Sequence, residues 1–377
     1  AAGALYRLKG GGMEKHDLKY LQAFKFPNKV MRSQTKILEY ILKLKGKVYV
    51  AFSGGVDSTV LLDMTCRVWA SLEQYRDMPL AVIFADTGNE FMAIRRFVVE
   101  FCAICEQRHG IKIDLIKARN KETNFYKIPA TVGYPVVSKK VSRMVRDIRT
   151  WCREIMAAHN IEGALTREVF ERIIVEYEPE MTHTIRLYFT GITSKGKTCK
   201  SRKLPLKWYK LCYAPFEVSE KCCDLLKKDP CKEEAKKRGL YGLVATMASD
   251  SKQRESAYLA TGCNSFNGSR TKSQPMGFWF TDDVTEYLRN YKLEYCKEVY
   301  GDICPQGSPN RFTKEQHTGC KLCLFGCHLE DEPNRIQRLA STEPKQYDYA
   351  IRKDGLNYGE VMDYLGIPYK TEGGGNE

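Results

Sequence analysis

Two rhythms of apolar and polar positions alternate along the chain. Val30, Ile37, Leu38, Ile41 and Leu42 recur at helical spacing and predict an amphipathic helix over 30–45. The short apolar run from Lys47 to Phe52 predicts a buried strand, and after a polar turn Thr59 to Trp69 reads as a helix. The same order repeats: a strand over Pro79–Ala85, a helix from Phe91 to His109, and a strand over Ile111–Ile116. Tyr241–Met247 predicts a returning strand, and Phe278–Leu288 opens a helix capped by Thr281 or Asp282. Leu165–Glu176 reads as another helix, and Asn334–Tyr369 as a helical tail apolar enough to dock. Strands alternating with helices point to an α/β fold with a doubly wound parallel sheet, whose ligands bind beyond the carboxyl ends of the strands.

Two polar turns fall at that edge. The first is Ser53-Gly54-Gly55-Val56-Asp57-Ser58, between strand and helix. Its glycines let the backbone approach a ligand, and successive N–H groups at a helix N-terminus attract phosphate. Ser53 and Ser58 add hydroxyl donors, while Asp57 either caps the helix or holds a phosphate-bound metal. The second turn is Asp86-Thr87-Gly88-Asn89-Glu90. The first string resembles the PP-loop of the ATP pyrophosphatase superfamily, whose members cleave ATP between the α- and β-phosphates. No Gly-Lys-Ser/Thr follows, so it is not a Walker loop. The resemblance implies an adenine nucleotide α-hydrolase-like fold that uses ATP and Mg2+.

Composition adds a partner and a compartment. With 43% hydrophobic and 28% charged residues the chain is an ordinary globular one, and no apolar run reaches the ~18 residues a membrane span needs. The net charge of +14 suggests an anionic partner beyond ATP. Residues 131–212 carry twice as many lysines and arginines as acids. Segments 139–153 and 194–210 are therefore candidates for nucleic-acid contact, with a solvated basic face as the alternative. Trp151, Trp208 and Tyr209 stack on bases in the first reading and pack internally in the second. Ala1–Gly12 reads as an expression remnant without signal-peptide architecture, and a cytoplasmic location is expected. The expected divisions are a nucleotide-binding core over 13–130, a basic insertion over 131–212, completion of the core with a metal site over 213–330, and the tail over 331–377.

Fifteen cysteines in such a chain suggest metal or thiol chemistry more than disulfides. Cys222-Cys223 and Cys320-x-x-Cys323, with Cys327-His328 close behind, supply soft ligands, and Leu322, Leu324 and Phe325 an apolar shell. Iron–sulfur binding, zinc on Cys320, Cys323, Cys327 and His328, and inert burial all remain open on spacing alone. A Cys-Cys pair followed at long range by Cys-x-x-Cys is similar to the [4Fe–4S] signature of assimilatory adenylylsulfate reductases. With the stretch around Arg254 and Trp279-Phe-Thr-x-x-Asp-Val284, the chain resembles the phosphoadenylylsulfate (PAPS) reductase-like family. That resemblance implies cluster ligands at Cys222, Cys223, Cys320 and Cys323, with Cys327 or Cys263 as substitutes. It also places Asp86, Thr87 and Gly88 beside the nucleotide and Arg254 at a phosphate or sulfonyl group.

The catalytic cysteine of sulfonucleotide reductases, in a C-terminal Glu-Cys-Gly-Leu-His segment, is missing: no cysteine follows Cys327. The expectation is therefore an ATP pyrophosphatase that adenylates a substrate, nucleic acid in the first instance, for sulfur transfer. The sulfur comes from the cluster, from a persulfide on Cys327 or Cys263, or from a donor or reductant protein. Two alternatives stand beside it: a reductase in which Cys327 replaces the missing cysteine, and a non-catalytic nucleotide-binding iron–sulfur subunit.

Overall fold

The computed structural model describes residues 13–268, 271–305 and 307–371. The predicted remnant Ala1–Gly12 and the last residues of the tail lie outside the described residues. The chain divides into two units, one of residues up to Arg119 with Lys227–Gly319, the other of Asn120–Leu226 with the residues from Cys320 onward. These divisions differ from the boundaries the sequence suggests. Only 227–319 return to the first unit, so the cysteine segments 222–223 and 320–327 belong with the basic insertion and the tail.

In the first unit, α1 (Lys15–Gln22) and α2 (Phe26–Lys43) precede β1 (Val48–Ala51), and α3 (Val56–Ala70), β2 (Leu80–Ala85), α4 (Met92–His109) and β3 (Ile113–Ala118) follow. The second unit contributes β4 (Val136–Val137) and β8 (Leu324–Phe325); β5 (Tyr241–Leu243), β6 (Asn264–Ser265) and β7 (Lys272–Ser273) complete the main sheet. Its order is β3-β2-β1-β5-β7-β6, parallel throughout except for the β6–β7 pair. Val50 pairs with Val82 on one side and Leu243 on the other, so β1 is central. Helices cover such a sheet on both faces, which is why β1 and β2 are nearly unbroken apolar runs. β5 is shorter than the predicted returning strand.

Polar groups inside this core are paired. Lys29 Nζ donates to both carboxylate oxygens of Asp283, at 2.7 and 2.9 Å. That carboxylate also accepts from Phe280 N, and it caps the helix Thr281–Asn290 from inside; Phe280 holds the cap position expected of Thr281 or Asp282. Asp63 on α3 is fully buried, accepting from Arg67 Nε (2.8 Å) and Tyr287 Oη (2.7 Å) and bonded to His109 Nε2 (2.9 Å).

The second unit packs around the helix Lys139–Ala158, begun by Ser138, whose hydroxyl accepts from Val141 N. Val145, Ile148, Trp151 and Cys152 face its core, with Trp208, Leu211, Leu322, Leu324, Tyr358 and Met362. Both tryptophans are buried there, so the packing reading holds for them. β4 and β8 pair in parallel, and the tail forms the helices Arg335–Thr342, Pro344–Ile351 and Tyr358–Leu365.

Replacing Lys29 with Met leaves the Asp283 carboxylate buried without its counter-charge. The expected loss is about 3 kcal/mol of unfolding free energy, read from urea denaturation; a loss below about 1 kcal/mol would contradict this account of the pair.

Candidate functional site

The turn after β1 is built by its own hydroxyls. Ser58 Oγ donates to Gly55 O (2.8 Å) and accepts from Ser53 N (3.1 Å), with Ser53 Oγ 3.0 Å away. Ser58 therefore braces the loop, and the Ser53 hydroxyl, on an exposed residue, also accepts from Gly55 N at 3.3 Å. Gly54 has φ +73°, and a β-carbon on it would meet Ile94 Cγ2 at 2.8 Å and Val98 Cγ2 at 3.0 Å. Only glycine allows both the left-handed turn and this approach of α4. A β-carbon on Gly55 would meet Thr318 Oγ1 at 2.9 Å. Thr318 lies 2.8 Å from Tyr300 Oη, which in turn accepts from Val56 N at 3.3 Å.

Asp57 occupies the first turn of α3. Burial pushes its carboxyl up to about 6 and Asp250 adds to this, while Arg311 and Arg254 pull it down. Arg311 Nη1 stands 3.8 Å from Asp57 Oδ1, and neither atom has a hydrogen-bond partner. Arg254, predicted at a phosphate, is exposed and ion-paired to Asp250. Arg311 and Thr318 were not legible in the sequence because they come from an irregular segment with no spacing of its own, and Tyr300 because it ends a short helix as one buried aromatic among many.

A cavity of about 130 Å³ opens at the carboxyl ends of β1 and β2, lined by Phe52, Ser53, Ala85, Glu90, Cys231 and Thr318 among others. It lies beyond the carboxyl ends of the strands, where open α/β sheets bind their ligands. A larger hollow of about 360 Å³ lies along α2, and none of the motif residues lines it. The second turn borders the cavity differently from expectation. Asp86 accepts from Arg95 Nη2 (3.1 Å) and Gly88 N (3.3 Å), and Thr87 Oγ1 donates to Glu90 Oε1 (2.6 Å). The polar groups of Asp86, Thr87 and Gly88 hold the turn, and Ala85 and Glu90 supply its share of the cavity wall.

In the second unit Cys222, Cys223, Cys320 and Cys323 converge. Cys222 hydrogen-bonds Cys223, and its thiol is raised by that bond, by burial and by the nearby Cys323 and Cys320. Burial raises Cys323 to about 12, with Cys320 and Cys223 adding to it. Tyr358, buried beside them, donates to Leu322 O at 2.8 Å. Among the described residues no three His, Cys, Asp or Glu side chains stand in finished metal-binding geometry, so the four thiols are a convergence and not a closed cage.

The other candidates lie elsewhere. Cys327 is buried and pushed up to about 11, with Glu330 and Arg335 as its charged neighbours. His328 stands edge-on to Trp208, with ring centroids 5.2 Å apart. Cys263 belongs to the first unit, buried and 2.9 Å from Tyr258 Oη. Cys327 and Cys263 are both buried thiols raised by that burial, whereas attack or persulfide transfer calls for an accessible thiolate.

The basic segments divide as well. Arg149 is buried, donating to Leu211 O, Ala214 O and Glu217, while Arg146 pairs with Glu220 and Arg153 with Glu217. Much of 139–153 is thus neutralised internally. Lys195, Lys197, Lys200, Arg202 and Lys203 are all exposed.

The charge on Asp57 opposes folding. Because its carboxyl rises from 3.8 to about 6, its stabilising share is full below pH 3.8 and is lost as pH rises through 6. Asp57→Asn should therefore raise Tm by a few degrees at pH 8 and less at pH 4.5. Equal Tm shifts at the two pH values would refute the assignment.

Residues 47–167 match the family model of the phosphoadenosine phosphosulfate reductase domain. Among curated proteins the chain is similar to the uncharacterized protein MJ0066 of Methanocaldococcus jannaschii, 35% identical over 113 residues that make up 30% of this chain and 18% of that one. The chain thus spans less than a fifth of that relative. Among solved structures it aligns with phosphoadenylyl-sulfate (PAPS) reductase from Candida auris in its phosphate complex, at 12% identity and a TM-score of 0.34, over 78% of this chain and 97% of that one. That superposition is too loose to add to the fold described above. The domain match falls on the strand, glycine turn and helix around Gly54 and Gly55, so residues 47–167 are similar to the phosphoadenosine phosphosulfate reductase domain.

Proposed function

We propose that the protein binds ATP at the PP-loop and uses it to adenylate a substrate for sulfur transfer, with a [4Fe–4S] cluster held by Cys222, Cys223, Cys320 and Cys323. The observation that carries the reading is the convergence of these four thiols from segments far apart in the chain. Crowded thiols raise one another because their charges repel, and a bound metal centre relieves that repulsion by taking the thiolates as ligands. Leu322 and Leu324 give the apolar surroundings such a centre favours. Arg335 Nη1 donates to Cys323 O at 3.3 Å and fixes the segment. When bound, such a cluster supplies a site for sulfide or for single electrons.

The protein's own groups account for the nucleotide half. The N–H groups after Gly54 face the phosphates, Asp57 takes Mg2+, and the cavity beyond β1 and β2 takes the adenosine. ATP transfers its AMP to a substrate oxygen and releases pyrophosphate; a sulfur nucleophile from a donor protein then displaces AMP with that oxygen. The burial of Cys327 tells against the reductase reading that relied on it. A polyanionic acceptor suits the exposed lysines and arginines over 195–203, and nucleic acid is the proposed class.

Protein purified without oxygen should hold about four irons and four sulfides per chain with a broad band near ~400 nm. Cys323→Ser should lose most of the iron. Zinc in place of iron, or full iron in that variant, would sink the cluster assignment. ATP should yield AMP and pyrophosphate with a nucleic-acid acceptor and a sulfur donor present; ATP binding without either product would favour the non-catalytic alternative. Replacing Lys195, Lys197, Lys200, Arg202 and Lys203 with alanine should weaken nucleic-acid binding for every sequence and flatten its salt dependence, by about 0.9 in log–log slope per lost duplex phosphate contact. An unchanged slope would move the interface elsewhere.

A further inference from the structure

Arg311 is the polar side chain nearest the PP-loop whose arrangement nothing so far explains. Its side chain is only 13% exposed, yet Nη1 has no hydrogen-bond partner. The rest of the residue is held firmly. Nη2 donates to Gln316 O at 3.0 Å and lies 3.3 Å from His317 Nδ1, while Arg311 N donates to Gln316 Oε1 at 2.8 Å. Gln316 in turn donates to Phe312 O (2.6 Å) and Lys314 O (3.1 Å), so one glutamine closes the segment around the arginine. The guanidinium is thereby aimed, with one edge anchored and the other open.

The open edge faces Asp57. Charge-assisted arginine–carboxylate pairs close to about 2.8 Å, whereas Nη1 and Asp57 Oδ1 stop at 3.8 Å and both atoms stay unpaired. A buried donor and a buried acceptor left unmade each cost free energy unless a ligand completes them. The ligand that completes both at once presents an oxyanion to the arginine and a cation to the carboxylate. We propose that Arg311 and Asp57 together receive a magnesium–phosphate unit of the bound nucleotide, Arg311 taking the phosphate oxygen and Asp57 the Mg2+, with Gln316 as the residue that positions the guanidinium. This rests on the nucleotide reading of the PP-loop and adds to it a phosphate-binding residue. Arg254, engaged by Asp250 at the surface, is the less prepared of the two arginines.

The test compares ligands that differ only in phosphate. Binding of Mg-ATP, magnesium pyrophosphate and adenosine is measured calorimetrically on the full chain at pH 8, where the Asp57 carboxyl is ionised. Arg311→Met should weaken Mg-ATP and pyrophosphate by about tenfold to a hundredfold, the range of a hydrogen bond to a charged group, and leave adenosine unchanged. Arg311→Lys should recover part of the loss, and Gln316→Ala should lose several-fold on the same two ligands alone. Adenosine and Mg-ATP weakening together, or Mg-ATP unchanged in Arg311→Met, overturns the assignment. Should Arg311→Met fail to fold, Arg311→Lys and Gln316→Ala give the same phosphate-selective readout. A wild-type chain that binds neither ATP nor adenosine overturns the nucleotide reading itself, and this inference with it.

Discussion

The approach of α4 to the turn at Gly54 is the constraint on which the first unit depends. Ile94 and Val98 pack so close to that backbone that no β-carbon fits, and the turn itself is left-handed. Because the turn is this tight, α3 begins directly behind β1, and its N–H groups open at the carboxyl edge of the sheet. Ser58 then closes the loop on itself, so the backbone is set before any ligand arrives. Such preorganisation spares binding the cost of ordering a flexible loop.

Helix α3 shows how the same residue type serves two ends. Asp63 is buried and held below the usual carboxylate range by bonds from His109, Arg67 and Tyr287. Asp57, one end of the helix away, is pushed upward because burial is not matched by hydrogen bonds. Asp63 ties α3 to α4 and to the helix Thr281–Asn290, and its charge is satisfied within the protein. Asp57 retains an unmet demand, which is the property expected of a group whose partner is a ligand.

In the second unit, thiols and charges follow the same logic. Arg146, Arg149 and Arg153 pair with Glu217, Glu220 and backbone carbonyls, so net positive charge overstates what the helix Lys139–Ala158 offers to a partner. The loop over 195–203 keeps its charges exposed. Among the cysteines, four crowd together and raise one another, while Cys327 is buried beside Glu330 and Arg335 and Cys263 beside the Tyr258 hydroxyl. Separation by environment, more than by spacing, distinguishes candidate ligands from packing residues.

The sequence alone determined the elements that local chemistry dictates: β1, α3, β2 and α4 from unbroken apolar runs, helical periodicity and a glycine turn, and with them the parallel sheet and the tight loop at its carboxyl edge. The Cys-Cys and Cys-x-x-Cys segments were legible because thiols are rare and their spacing is short. Tertiary structure decided what depends on distant partners. It put Arg311, Tyr300 and Thr318 at the PP-loop, spent the polar groups of Asp86 and Thr87 on their own turn, and buried Cys327 and Cys263. It also assigned the cysteine segments to the unit of the basic insertion. A side chain's protonation, exposure and free donors are set by what packs against it, and those neighbours come from parts of the chain that no local pattern connects.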